Sequence, residues 1–174
     1  QMIYHASSVV RAVNRALIVV DLPFGTYQSD SKEALRSAIR IMKESGAHAV
    51  KLEGGDQARE SIERIIQAGI PVMGHLGLLP QTVKGKFTSK GKSPREKKKL
   101  IDDAILLQKS GVFAIVLECI KTHTTKQITQ LLKIPTIGIG SSVHCDGQVL
   151  VTDDLIGLND TKIKKKSRPA ISYF

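Results

Sequence analysis

Short apolar runs recur along this chain, and each breaks off at a polar residue or a pair of small ones. "ALIVVDLPF" stops its run at Asp21, "ESGAHAVKLE" at Glu53, "QAGIPVMGH" at His75 and "KSGVFAIVLE" at Glu118. "LLKIPTIGIGSS" stops at Ser141 and Ser142. The runs are rich in Val, Ile and Leu without clean alternation, the pattern of parallel strands covered by helices. Strands are expected near 17–21, 48–53, 70–74, 113–118, 135–139 and 148–152.

The segments between the runs read as helices. Asp30 is positioned to cap one reaching about Gly46, with Glu33 three residues on to complete a capping box. Asp56 is expected to cap 57–68, with Gly69 as the stop. Ser93 followed by Pro94 at the first helical position starts another that ends near Gly111. "HTTKQITQLLK" is a shorter helix.

Alternating strand and helix units give an α/β fold. A doubly wound sheet needs chemistry only at its switch point, whereas a (β/α)8 TIM barrel gathers all strand C-termini at one mouth. Polar residues end nearly every run here, which favours the barrel. A barrel has eight strands and typically about 250 residues; this chain has 174 residues and six expected strands. The expectation is a single partial barrel domain over 1–174 carrying about six βα units, with the first two missing and a basic tail at 162–174. The initial Gln1 agrees with an N-terminally incomplete chain.

Within the second strand the period of two puts Lys51 and Glu53 on one face, and Val50 and Leu52 on the other. Two charges on the inner face of a core strand point to a site. Asp21 either caps the turn after its strand or binds a hard cation, for which Glu53 is the natural second carboxylate. Lys51 either pairs with Glu53 or presents an ammonium to a substrate carboxylate or enolate. Gly54 and Gly55 would let a ligand approach the backbone closely. His75 is either a packed core histidine or a site residue. Glu118 follows a run apolar enough to raise its pKa, which suits a general acid/base. Cys119 would face away from it and reads as structural. "GIGSS" at 138–142 resembles a ligand-hugging turn, a weak signal alone.

Composition changes this picture little. Hydrophobic residues make up 41% and charged residues 24%, ordinary values for a globular domain. No apolar stretch approaches the roughly 20 residues needed to span a bilayer, and no signal-peptide pattern opens the chain. Cys119 and Cys145 have neither metal-ligand spacing nor the look of a disulfide framework, so a reducing cytoplasmic setting is expected. The net charge is +10, but Lys84–Lys99 and Lys162–Arg168 hold half of the 26 Lys and Arg residues. Neither segment is interleaved with aromatics and the chain lacks Trp. They read as a solvated loop and tail, with attraction of an anionic substrate as the alternative, rather than as a nucleic-acid surface.

Taken together, the chain resembles the ketopantoate hydroxymethyltransferase family. The matching stretches are "DLPFGTY" at 21–27, "VKLEGGD" at 50–56, "IPVMGHLGLLPQTV" at 70–83, "VLECI" at 116–120, "IPTIGIG" at 134–140 and "DGQVLVTDDLIG" at 146–157. "YHASSVVRAV" at 4–13 resembles the helix before the family's third strand. The resemblance implies a (β/α)8 barrel that transfers a one-carbon unit from 5,10-methylenetetrahydrofolate to 3-methyl-2-oxobutanoate, giving 2-dehydropantoate for pantothenate and coenzyme A. It implies Asp21 and Glu53 as Mg2+ ligands, with Asp21, Lys51 and His75 at the keto acid and Glu118 as acid/base. It also implies a homo-oligomer, typically a decamer, with no nucleic-acid or membrane partner. The chain departs from the family in lacking the Gly-Asp-Ser motif of the second strand. Its loop at 84–92 lacks the paired glycines, and it has Ser141-Ser142 where the family usually has Ala-Gly. A non-catalytic remnant of that enzyme and another Mg2+-dependent keto-acid barrel enzyme acting through an enolate are the competing expectations.

Overall fold

The computed structural model describes residues 1–83 and 88–158. The basic tail expected at 162–174 and part of the lysine-rich loop, 84–87, lie outside the described residues.

Six strands form one parallel sheet in chain order. They are β1 (Val19–Asp21), β2 (Ala49–Glu53), β3 (Val72–Gly77), β4 (Ala114–Glu118), β5 (Thr136–Ile139) and β6 (Gly147–Gln148). The order never reverses, so the sheet has no switch point of the doubly wound kind. It is the curled, sequential sheet of a partial barrel, with β1 and β6 as its two edges among the described residues.

Helix α1 (Met2–Ala12) precedes the sheet, and α2 (Ser31–Ser45), α3 (Arg59–Gln67), α4 (Pro94–Lys109) and α5 (Thr122–Leu131) connect its strands. A last turn, α6 (Thr152–Leu155), follows β6. Parallel strands need such crossovers, and the helices cover the outer face. There Val50, Leu52, Val72, Ile115 and Leu117 pack against Ala34, Ala38, Ile62, Ile65, Leu107 and Ile128 in one buried cluster. The inner face carries a second cluster of Met73, Ala114 and Val116, with Val19, Phe113, Ile137 and Ile139 packed against it. The polar strand ends lie above this apolar floor.

Local signals placed most boundaries, with four corrections. Asp30 caps α2 by accepting from the Lys32 N–H, and Gly46 ends it in the left-handed region at φ 76°. Glu33 does not complete a capping box there; its carboxylate lies 3.6 Å from Arg36 one turn on. The reciprocal box forms instead at α4, between Ser93 and Glu96. Asp56 does not cap a helix with its side chain: Asp56–Ala58 is a 3-10 turn leading into α3, and the Asp56 N–H is held by the Asp103 carboxylate at 3.3 Å. The third strand runs three residues past its expected end, to Gly77. The sixth shrinks to Gly147–Gln148, because the Asp146 carboxylate accepts from the Thr136 N–H and Oγ1 and pins the chain early.

Candidate active site

Register decides which side chains meet. Asp21 on β1 is the direct partner of Lys51 on β2, and Glu53 is the partner of His75 on β3. Gly77 is the partner of Glu118 on β4. All five site residues predicted from the sequence therefore stand on the inner face at the carboxyl ends of four adjacent strands.

They form a chain of contacts. Lys51 Nζ lies 2.8 Å from Asp21 Oδ1 and 3.1 Å from His75 Nδ1. An ammonium only donates, so Nδ1 accepts and the imidazole proton sits on Nε2. That Nε2 points toward Glu118, 3.3 Å from its Oε2. The alignment falls short of a hydrogen bond, and among the described residues Nε2 is a buried polar atom with no partner. His75 is only 3% exposed. A buried N–H left open beside a carboxylate is costly unless something else completes it.

Of the two alternatives for Lys51, the pair with Glu53 does not form; Asp21 is the partner of Lys51. Glu53, 8% exposed, is held otherwise. Its Oε2 accepts from the Gln81 N–H at 3.1 Å, and its Oε1 lies 3.9 Å from His75 Nδ1. Burial pushes its pKa up and the charge of Asp21 adds to that, against the lowering pull of His75, Gln81 and Lys51.

Two residues without an assigned role complete the support. Tyr27, in the loop after β1, is buried, and its hydroxyl accepts from the Glu53 N–H at 3.1 Å and donates to Gln81 Oε1 at 2.9 Å. Burial first, with Glu53 and Asp21 adding to it, pushes its pKa up to about 12, so it stays a donor. Gln81 Nε2 donates to the Leu22 carbonyl at 2.8 Å. The only sequence signal was that both lie in the stretches "DLPFGTY" and "HLGLLPQTV".

Cys119 does not follow strand alternation. The strand ends at Glu118, and Cys119 takes φ 51°, in the left-handed region. Ser141 faces Thr125 at 2.7 Å and the Ile120 carbonyl at 3.2 Å, a buried hydroxyl pair tying α5 to the end of β5. A cavity of about 250 Å³ lies elsewhere, lined by Gly55, Leu76, Gly77, Lys90, Lys99 and Asp103 among others, and by none of the five site residues.

Among the described residues no three His, Cys, Asp or Glu side chains gather as a complete metal cage. Two carboxylates at one mouth still fit a magnesium-type ion. Mg2+ takes oxygen ligands, commonly one or two carboxylates with water and substrate oxygens. Burial, with a smaller contribution from the charge of Asp21, raises the Glu53 pKa, and a dication at the mouth would favour its charged form. An oxygen-only pair does not suit a tetrahedral zinc site.

A curled parallel sheet with lysine, histidine and carboxylates gathered at its strand ends is the arrangement of a partial α/β barrel, whose strand ends are where barrel enzymes carry their sites. Solved structures with this fold include a candidate phosphonomutase from Burkholderia cenocepacia, with TM-score 0.60 and 15% identity, covering 79% of this chain and 58% of that one. The carboxyl transferase domain of Rhizobium etli pyruvate carboxylase aligns at TM-score 0.56 and 12% identity, covering 78% of this chain and 24% of that one. The sequence profile of the family described as ketopantoate hydroxymethyltransferase matches residues 1–172. The 3-methyl-2-oxobutanoate hydroxymethyltransferase of Cytophaga hutchinsonii is 62% identical over 162 residues, 92% of this chain and 60% of that protein. That of Bacteroides thetaiotaomicron is 56% identical, covering 92% and 59%. The chain belongs to the ketopantoate hydroxymethyltransferase family, and it spans about 60% of the length of the curated relatives it matches.

Proposed function

We propose that this chain carries the keto-acid site of a 3-methyl-2-oxobutanoate hydroxymethyltransferase, which moves a one-carbon unit from 5,10-methylenetetrahydrofolate to form 2-dehydropantoate. The observation that carries the reading is the open His75 N–H beside Glu118, at the end of the Asp21–Lys51–His75 chain of contacts. Asp21 and Glu53 would hold Mg2+, which supplies Lewis-acid polarisation of the 2-oxo group.

The protein's own groups divide the remaining work. Lys51 places a positive charge on the inner face, where it attracts the substrate carboxylate and offsets charge building on the enolate oxygen. His75 receives a hydrogen bond from Lys51 and keeps its Nε2 proton, unpartnered among the described residues, beside Glu118 and available to a substrate oxygen. Glu118 takes the C3 proton of the keto acid, and the C3 carbanion forms the new C–C bond to the folate-borne one-carbon unit. Water supplies the hydroxyl oxygen, both bonds from that carbon to the folate nitrogens break, and tetrahydrofolate leaves with the C3 proton and one water proton on those nitrogens. Val116 and Ile139 lie beside Glu118 on the inner face and give the carboxylate apolar neighbours.

Mg2+ as the resident ion, closure into a complete eight-stranded barrel, a homo-oligomer up to a decamer, and a cytoplasmic location complete the proposal. The exposed Leu17, Phe24 and Tyr4 support association. Among the described residues no helix is long and apolar enough to cross a membrane.

The test is deuterium exchange at C3 of 3-methyl-2-oxobutanoate, followed by NMR with and without Mg2+. Exchange that Glu118→Gln lowers at least roughly 100-fold supports the reading. Well-folded protein that catalyses no exchange leaves the non-catalytic remnant in its place.

A further inference from the structure

The two proposed metal ligands come from different strands, β1 and β2, and their spacing is not set by the sheet alone. Asp21 is 45% exposed in its side chain and ends a strand of only three residues. The Leu22 N–H donates to the Lys51 carbonyl at 3.0 Å and joins that strand end to β2; the Glu53 side chain needs a separate tie to it.

Gln81 touches both. Its Nε2 donates to the carbonyl of Leu22, the residue directly after Asp21, at 2.8 Å. Its backbone N–H donates to Glu53 Oε2 at 3.1 Å. Its Oε1 accepts from the Tyr27 hydroxyl at 2.9 Å, and the same hydroxyl accepts from the Glu53 N–H at 3.1 Å. Tyr27 is itself anchored by Ser61 Oγ, which donates to the Tyr27 carbonyl at 2.9 Å. The four bonds at Gln81 and the Tyr27 hydroxyl form a closed loop through the end of β1, the carboxylate and backbone of Glu53, and the turn after β3. A neutral amide and a phenol do this without adding charge next to two carboxylates.

We propose that Gln81 and Tyr27 are positioning residues, a clamp that fixes the Asp21 strand end and the Glu53 carboxylate at the separation a shared divalent cation requires. The inference rests on the metal-binding reading of Asp21 and Glu53. Outer partners that orient ligands in this way typically control metal affinity by roughly 10- to 100-fold.

Two measurements on the full chain separate the clamp from that reading. The first is Mn2+ affinity, by electron paramagnetic resonance, for the wild type, Gln81→Met and Tyr27→Phe, well below their melting temperatures. The second is amide hydrogen exchange by NMR at Glu53 and Gln81, with no metal present. The clamp predicts Mn2+ binding weakened roughly 10-fold or more in each variant, and faster exchange of the Glu53 amide in Tyr27→Phe. Wild-type affinity in folded variants overturns it, even if their melting temperatures fall, because a merely structural role moves only the latter. If the wild type binds no Mn2+, the metal reading fails, and amide protection unchanged in Tyr27→Phe overturns the clamp as well. Tyr27→Phe removes one oxygen atom and decides the matter if Gln81→Met does not fold.

Discussion

Lys51 is where a small geometric difference redirects the chemistry. Same-strand neighbours two apart are separated by about 6.6 Å of rise, whereas adjacent strands lie about 4.8 Å apart. Lys51 therefore reaches across to Asp21 at 2.8 Å rather than along to Glu53. Strand alternation made the shared face of Lys51 and Glu53 legible, but the lateral partner depends on register, which a single strand does not contain. The contacts of Tyr27 and Gln81 were illegible for the same reason: they exist only once the loop after β1 and the turn after β3 converge on Glu53. Lys51→Met should leave Asp21 and the substrate carboxylate without their cation. Steady-state exchange kinetics should then show a raised KM together with a lowered kcat, while the melting temperature changes little. The Asp146 carboxyl is held below the usual range by the Thr136 backbone N–H and hydroxyl. A depressed folded pKa gives stability that is present above the ordinary aspartate pKa and lost as pH falls through the folded value. Asp146→Ala should thus lower the melting temperature at pH 7, and the gap from wild type should narrow under strongly acidic conditions.

Among the elements, the start of α4 was read correctly from Ser93 and Pro94, and the reciprocal Ser93–Glu96 box explains its strength. Ser93→Ala should cost about 1 kcal/mol in denaturant unfolding. The turn after β2 was misread, because Asp56 looks like a cap in isolation. What holds that turn comes from α4: the Asp103 carboxylate, paired with Lys99 at 2.9 Å, accepts from the Asp56 N–H. A Cβ on Gly55 would lie 2.2 Å from Asp103 Cγ, so glycine is required there by close approach. Gly55→Ala should destabilise by roughly 1–3 kcal/mol as an overpacking change. Asp103→Ala in the same chain should return part of that loss, as a double-mutant cycle would register.

At the scale of the whole molecule, the α/β class followed from repetition: the first five apolar runs each hold a strand, a helical crossover follows each of the first four, and the sheet keeps chain order. The apolar floor of the inner face was less legible, since Met73, Ala114 and Val116 look like any buried strand residues. Stability resides mainly in the outer layer. Leu107→Ala, removing a fully buried side chain between α4 and the sheet, should cost about 2–5 kcal/mol. The proposed reaction has this inner face form an enolate that joins a folate-borne carbon. Incubating the protein with Mg2+, 3-methyl-2-oxobutanoate and 5,10-methylenetetrahydrofolate labelled with 13C at the methylene tests this most directly. Labelled 2-dehydropantoate is expected in the product spectrum, and none from the Glu118→Gln variant. Deuterium exchange at C3 without any transfer of the label would contradict it, and would mark a different keto-acid enzyme.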